Sequence, residues 1–399
     1  MRKIYKLSDL FDLQMGKTPD RHNSEYWDNG IHPWISIADL SNNGKYVETT
    51  KELISESAVC ETGIKPIFPG TVIMSFKLSV GKVAMVRTNP YIAYSNEAIM
   101  AFETRSDIPE NEQPLNEYVY YLLSSLNFDN IGNKAVMGKT LNKAILQDLT
   151  VKIHPKEEQP KIIDVLTKCD ALIDKRKKQL EKLDELVKAR FVELFGDAEH
   201  NEKGLPTSPM TELCEIIDGD RGKNYPKQEE FSEEGFCLFL NAKNVTSNGF
   251  SFENCMYITE EKDKILRNGK LSRGDVVLTT RGTLGNLAFY DESVPYEHMR
   301  INSGMVILRM KRDRITERFF IEQFKMQLVS IKERIASGSA QPQLPISTMN
   351  KIVMLVPDVE LQNQFAAFVK QTDKSKLEIQ KSLEKLELLK KALMQKYFG

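Results

Sequence analysis

LEKLDELVKARFVELFG at residues 180–196 returns as LEKLELLKKALMQKYFG at residues 383–399, with 9 of the 17 positions identical. Leu180/Leu383, Leu183/Leu386, Ala189/Ala392 and the closing Phe-Gly all match at an offset of 203. A match of this length so far along the chain makes internal repetition the first question to settle.

The surroundings of both copies are helical in pattern. Residues 161–195 and 359–398 contain no Gly and no Pro and are dense in Leu, Lys and Glu. In the first stretch Leu166, Ile173, Leu180, Val187 and Leu194 recur every seven residues, with Ile162, Cys169 and Leu183 on a second heptad position. In the second, Phe365, Thr372, Ile379, Leu386 and Leu393 recur likewise, joined by Val369, Leu383 and Tyr397. Heptad stripes with charged flanks predict a coiled coil between the two helices. The plainer reading is an amphipathic helix packed on its own domain. Length argues against it, because about 35 residues at ~1.5 Å rise span ~52 Å, more than a small domain needs.

Upstream, the repetition continues in order. Leu149, Val151 and Ile153 followed by Pro155 and Gln159 answer Ile352, Met354 and Val356 followed by Pro357 and Gln362. GTVIMSFKLSVGKVAMV (70–86) answers GDVVLTTRGTLGNLAFY (274–290), and IADLSNNG (37–44) answers AKNVTSNG (242–249). The chain is therefore written twice. Each copy predicts a mixed α/β (α+β) globular part followed by a long helix, giving globular domains at 1–155 and 205–357 and helical spacers at 156–204 and 358–399. Short β-branched runs such as Thr71–Phe76 and Asp275–Thr279, set between Gly, Pro, Asn and Asp, predict a compact sheet with flanking helices. Covalent order makes the second helix run back antiparallel to the first, with similar domains at opposite ends about a pseudo-two-fold axis. Such a ruler suits two separated, inverted DNA half-sites.

Composition narrows the class. The 399 residues carry 41% hydrophobic and 28% charged side chains, ordinary for a soluble globular protein. No apolar run reaches membrane-spanning length, and Asp9 and Asp12 interrupt any secretory segment. Five cysteines without CxxC spacing point to a reducing, cytoplasmic compartment. Lys plus Arg number 55 against 56 Asp plus Glu, so any nucleic-acid contact must come from local patches.

Catalytic patterns are missing. The GKT triplets at 16–18 and 138–140 lack the glycine that a Walker loop needs ahead of four intervening residues, and read as turns or surface loops. Asn89-Pro90-Tyr91 is one proline short of a methyltransferase motif, and no Gly-rich cofactor loop follows a strand. The five histidines (22, 32, 154, 200 and 298) do not cluster, which leaves a metal site or a His-activated nucleophile unsupported. No catalytic residue and no metal ligand is assigned.

Two acid-free windows occupy equivalent places in the repeat. Residues 130–147 carry Lys134, Lys139 and Lys143, and residues 334–351 carry Arg334 and Lys351 with Gln341 and Gln343. Gly, Ser, Asn and Gln let backbone approach phosphates and offer donors and acceptors to base edges. Matched turns supply Lys77, Ser79 and Lys82 in one copy and Arg281 and Asn286 in the other. Matched glycine-bearing loops supply Lys17, Thr18 and Arg21, then Arg221, Lys223, Asn224 and Lys227. The candidate DNA-contacting residues are those of the turns and glycine-bearing loops together with Lys134, Lys139, Gln341 and Gln343 of the windows. The candidate coiled-coil interface is Leu166, Ile173, Leu180, Leu183, Val187, Phe365, Ile379, Leu383, Leu386 and Leu393.

The repeated LEKL…FG helix ends, the Pro155…Gln159 and Pro357…Gln362 helix entries, the SVGKVAM and TLGNLAF turns, and GDRGKNYP with FLNAKNVTSNG (239–249) carry a resemblance. Over its entire length the chain resembles the specificity subunit of type I restriction–modification systems. The resemblance implies a non-catalytic reader of double-stranded DNA, each globular domain recognising one half of a bipartite target while the helices set the spacer. It also implies two docked modification (adenine methyltransferase) subunits and further restriction (motor-nuclease) subunits. S-adenosylmethionine, ATP and Mg²⁺ would belong to those partners, with no cofactor in this chain. Two other classes compete. A coiled-coil scaffold binding only proteins would share the rod and make Lys77, Arg281 and the windows dispensable; a self-sufficient modifying enzyme would need a cofactor pocket.

Overall fold

The structure, a computed structural model, describes residues 2–77, 79–87, 92–128, 133–135, 138–311, 313–336 and 343–399. The chain forms two compact units. The first combines Met1–Arg176 with Ser382–Gly399, and the second is Lys177–Lys381.

In the first unit the central sheet orders Phe11–Met15, Ile99–Thr104, Val72–Ser75, Val83–Val86 and Tyr46–Val47, antiparallel except for the last pair. The period-2 geometry of a strand decides where its side chains go. Val72 and Met74 fall into one apolar cluster with Leu10, Phe102, Tyr118 and Leu122, against the helix Asn116–Ser125. Ile73 points the other way, into a cluster with Ile35, Val47, Ala93 and Ile99. Both faces are covered, so this strand reads as an unbroken apolar run. A small three-stranded sheet covers the second face, with His32–Ile35 antiparallel to Glu52–Ile54 and parallel to Tyr94–Ser95.

The second unit repeats the plan. Its central sheet orders Cys214–Asp218, Met305–Met310, Asp275–Thr279 and Leu287–Phe289, all antiparallel. Val276 and Leu278 face the cluster built on Phe319, Phe320 and Phe324, while Val277 faces Leu238, Leu240 and Met299. Tyr257–Ile258, Cys237–Leu240 and Met299–Ile301 form the matching small sheet. The helix Glu317–Ala336 stands where the first unit has Asn116–Ser125, but has 20 residues against 10.

The long helices are Gln159–Phe195 and Val359–Phe398. A buried glutamine pins each at its start. Gln159 accepts from Leu115 N–H and donates to His154 O, at 2.9 Å each. Gln362 accepts from Thr316 N–H at 2.9 Å and donates to Arg314 O and Pro357 O at 3.0 and 2.8 Å. The helices pair antiparallel within each unit. In the first, Asp170 meets Lys390 at 2.5 Å and Cys169 Sγ reaches Leu386 O at 3.7 Å. In the second, Asp184 meets Lys376 at 2.6 Å, and Phe191 and Phe195 pack on Phe365 at 5.5 and 5.6 Å between centroids.

Of the heptad positions read from the sequence, Leu166, Ile173, Val187, Phe365 and Leu383 are buried, and Leu180, Leu183, Ile379, Leu386 and Leu393 are half-buried. The heptad reading passed over Phe191 and Phe195, which are fully buried against Phe319. Aspartates one repeat apart also tie the helices to their domains: Asp170 accepts from Tyr121 OH at 2.8 Å, and Asp373 accepts from Arg318 at 2.8 Å.

Candidate nucleic-acid interface

The matched turns are built the same way. In the first unit Ser75 ends a strand, and its Oγ accepts from Lys82 N–H at 3.0 Å while donating to Ser79 O. In the second, Thr279 does the same work, accepting from Asn286 N–H at 2.9 Å and donating to Thr283 O. One hydroxyl thus satisfies both a donor and an acceptor of the turn, and a serine or threonine is the residue able to do so at this size. Gly81 and Gly285 close the turns at φ +89° and +81°, where a side chain would be strained. Lys77 and Arg281 each follow two residues after that hydroxyl.

The acid-free windows meet these turns. Leu141 N–H donates to Phe76 O at 3.0 Å, and Leu344 N–H to Thr280 O at 3.1 Å. In the second unit Arg281 and Gln343 also pair through their backbones, and both side chains are exposed. In the first, the strands Asn133–Ala135 and Gly138–Thr140 form a hairpin that places Lys134 opposite Lys139. GKT at 138–140 is therefore strand, where the sequence suggested a turn or loop, because it pairs antiparallel with Asn133–Ala135. The side chains of Lys134 and Lys139, and all of Gln341 and Asn89-Pro90-Tyr91, lie outside what the structure describes.

The glycine-bearing loops each start at a glycine pressed against neighbouring backbone. A Cβ on Gly16 would stand 2.3 Å from Ser95 O and Asn96 O, and one on Gly219 would stand 2.2 Å from Asn302 O. Only glycine lets these loops lie against the strand connections 95–98 and 302–304. The first loop then wraps an aromatic pair: Arg21 stacks on Trp27 and Trp34 at 3.8 and 4.7 Å and donates twice to Glu52, at 2.6 and 3.1 Å. Lys17 Nζ donates to Thr62 O at 2.5 Å. Thr18 donates to Glu97, an exposed carboxylate that the sequence reading did not single out. Desolvation opposes the Glu97 charge, but the Thr18 hydrogen bond, its own backbone N–H, and nearby Lys77 and Arg21 hold the carboxyl below its ordinary range.

In the second unit buried Asp220 organises the loop. Burial alone would raise its carboxyl, yet backbone N–H groups of Gly222, Arg267 and Asn268 hold it below the usual aspartate range. Arg221 donates to Asp218 at 3.1 Å and to Ser303 O at 3.3 Å. Lys223 and Lys227 are exposed, and Asn224 reaches Ile265 O at 3.5 Å.

The predicted residues therefore divide. Lys77 lies over the Phe76 ring at 5.1 Å; Ser79, Arg281 and Gln343 project from exposed backbone beside the windows. Lys82 donates to Ser41 Oγ, and Asn286 to Val245 O at 3.0 Å, so both also hold their turns against the neighbouring segment. Arg21 is held by Trp27, Trp34 and Glu52 and remains exposed. Among the described residues no group of three or more His, Cys, Asp or Glu is placed to hold a metal ion. No described helix is long and apolar enough to cross a membrane.

Residues 2–185 and 203–390 each match the family described as "Type I restriction modification DNA specificity domain". The chain is 26% identical over 412 residues to the type I restriction enzyme MjaIX specificity subunit of Methanocaldococcus jannaschii, covering 98% of this chain and 91% of that protein. It is 24% identical to the MjaVIII specificity subunit of the same organism, with the same coverage of each. Among solved structures it resembles the type I restriction–modification S subunit from M. genitalium, with a TM-score of 0.53 and 18% identity over 100% of this chain and 96% of that one. A chain solved in work on complex assembly and conformational transition of the type I R-M system gives a TM-score of 0.56 at 14% identity, covering 99% of this chain and 97% of that one. At these identities the structural likeness is one of fold.

Proposed function

Because the chain belongs to the type I restriction modification DNA specificity domain family and carries that domain twice, we propose that each unit reads one half of a bipartite duplex target. The observation that supports this is the convergence, in both units, of a matched cationic turn with a matched acid-free window. Leu141 bonds Phe76 in one unit and Leu344 bonds Thr280 in the other. Unlike side chains at like positions give the halves different sequences. Arg281 presents a fork suited to the O6 and N7 of guanine, and Gln343 beside it suits the N6 and N7 of adenine. Lys77 offers a single charge, in the field of the nearby Glu97 carboxylate. Lys17, Thr18, Lys82, Arg221, Lys223, Asn224, Lys227, Asn286, Lys134, Lys139, Ser79 and Gln341 would line or support the same surfaces, with Arg21 holding its loop.

The chain then contributes recognition, and chemistry falls to partners. Leu186 and Leu389 occupy the same place in the repeat and stay 48% and 50% exposed on the long helices. A duplicated apolar point suits two copies of one partner, here the modification subunit, which would bring S-adenosylmethionine. Restriction subunits would add ATP and Mg²⁺. The cytoplasm is the compartment where such a complex meets its DNA.

The test is a map of modified adenines in an unmethylated host expressing the cognate methyltransferase with and without this chain. A bipartite motif that depends on the chain is expected. Lys77→Ala should then relax or abolish one half of the motif and Arg281→Ala the other. If an active methyltransferase co-purifies with the chain and no motif appears, the chain is a scaffold.

A further inference from the structure

Repeat-equivalent positions around the two turns carry different charge. Phe128 and Lys332 are 204 residues apart, as are Lys77 and Arg281, and Gly81 and Gly285. Each member of the first pair covers the closing glycine of its turn. A Cβ on Gly81 would meet the Phe128 ring at 3.3 Å, and a Cβ on Gly285 would meet Lys332 Cε at 2.1 Å and Nζ at 2.9 Å. Lys332 reaches this place because Glu317–Ala336 continues past the point where Asn116–Ser125 ends.

A second difference lies on the adjoining segment. Ser36 and Asp39 cap one short helix in the first unit, and Asn241 and Asn244 form the corresponding cap in the second. That register makes Lys243 the counterpart of Ala38, and both are exposed. Lys243 lines a shallow depression with Thr283, Leu284 and Asn286, and Thr283 bonds Ala242 O at 3.4 Å, so Lys243 flanks the Arg281 turn. Among the described residues no carboxylate pairs with Lys243, Arg281 or Lys332, and Ser303 follows Asn302 where Glu97 follows Asn96 in the first unit.

We infer that Lys243 and Lys332 form a two-lysine cradle around the 280–286 turn that grips the phosphate backbone at the second unit's half-site while Arg281 between them reads the base. The first unit has Ala38 and Phe128 in these places and lacks the cradle. This deepens the DNA-reading proposal and rests on it. A lysine whose stem crosses a glycine turn is held without an ion-pair partner, so its charge is available to a polyanion. Cations around a turn rather than along a groove edge meet the backbone where it passes the base-reading Arg281. The first unit distributes its cations differently, through Lys82 and the hairpin strands bearing Lys134 and Lys139.

The experiment uses the full-length chain and two duplexes, one carrying the motif from the adenine map and one with that motif scrambled. Affinity is measured between about 50 and 200 mM salt for wild type, Lys243→Met, Lys332→Met, the double variant, and Lys243→Arg/Lys332→Arg. Methionine keeps the apolar stem over Gly285 and removes only the charge. Each released phosphate contact contributes about 0.9 to the slope of log K on log salt, so the double variant should lose about 1.8. The advantage of wild type should then shrink about 12-fold across that salt range on both duplexes, and the arginine pair should restore it. Unchanged slopes in variants of a chain that binds DNA would overturn the cradle alone. Weakening confined to the motif duplex would overturn it too, because the lysines would then read bases. Wild type that binds neither duplex would overturn the cradle together with the reading beneath it.

Discussion

Phe191→Ala should destabilise the second unit while sparing the first. Phe191 is fully buried, with ring centroids of Phe195, Phe319 and Phe365 at 4.9, 5.6 and 5.5 Å. Removing a buried phenylalanine costs about 3–5 kcal/mol, and the loss of three aromatic neighbours places this site near about 4 kcal/mol. With a urea dependence of about 2.5 kcal/mol/M for a unit of this size, the midpoint should fall by about 1.6 M. The apolar clusters of the two units share no residue, and both tryptophans, Trp27 and Trp34, lie in the first. Tryptophan fluorescence therefore reports the first unit alone, and far-ultraviolet dichroism reports both. The expected result is an earlier dichroism phase with the fluorescence midpoint unmoved. Coincident shifts in both signals would refute the reasoning, because the cores would then unfold as one.

Acid should separate the units in the same way. Asp263 in the second unit is almost fully buried; burial opposes its charge, but hydrogen bonds from Lys270 and Arg300 hold its carboxyl low, as backbone N–H groups do for Asp220. A depressed folded-state value means the stabilisation is complete above the unfolded aspartate value of about 3.9 and is lost as pH falls below it. The first unit's carboxylates that are held low, Glu97 among them, are exposed or half-buried and so contribute less than buried Asp263 and Asp220. Dichroism should therefore begin to fall below about pH 4 ahead of tryptophan fluorescence, and simultaneous loss would contradict it. Gly219→Ala would drive a methyl group to 2.2 Å from Asn302 O. It should cost about 1–3 kcal/mol and degrade only one half of the modified-adenine motif, and an intact motif would detach that loop from recognition. Leu186→Lys and Leu389→Lys should each leave thermal unfolding within about 0.5 kcal/mol of wild type, while together they release the modification subunit on size-exclusion chromatography. Retained co-elution would place the docking surface elsewhere.

Repetition and long helices were legible because periodicity and absence of Gly and Pro are properties of the chain itself. The sheet strands were legible where both faces are covered, since Val72–Ser75 and Asp275–Thr279 then read as continuous apolar runs. Contacts between distant segments were not. Pro155…Gln159 and Pro357…Gln362 stood out as matched pairs, yet nothing local says that each glutamine will bond backbone 44 to 48 residues away. Phe191 and Phe195 fall off the heptad because they face a domain helix as well as the partner helix. The loop residues were legible as charge and glycine only. Arg21 looks free in sequence, but two tryptophans and Glu52 surround it. Glu97 looked incidental until Thr18 and Lys77 were brought to it.

The first unit is assembled from two separated stretches, 1–176 and 382–399, whereas the second is continuous. Phe398 lies against Tyr118 at 5.3 Å and near His154 at 6.4 Å, and Arg2 donates to the carbonyls of Tyr397 and Gly399 at 3.1 Å. During translation the surface around Tyr118 and His154 must therefore wait uncovered while more than two hundred further residues emerge from the ribosome. The usual order, with the earlier-made part folding first, is reversed: the part begun first is completed last. Quality control in the cell would accordingly meet the first unit as an unfinished surface for as long as the second is being made.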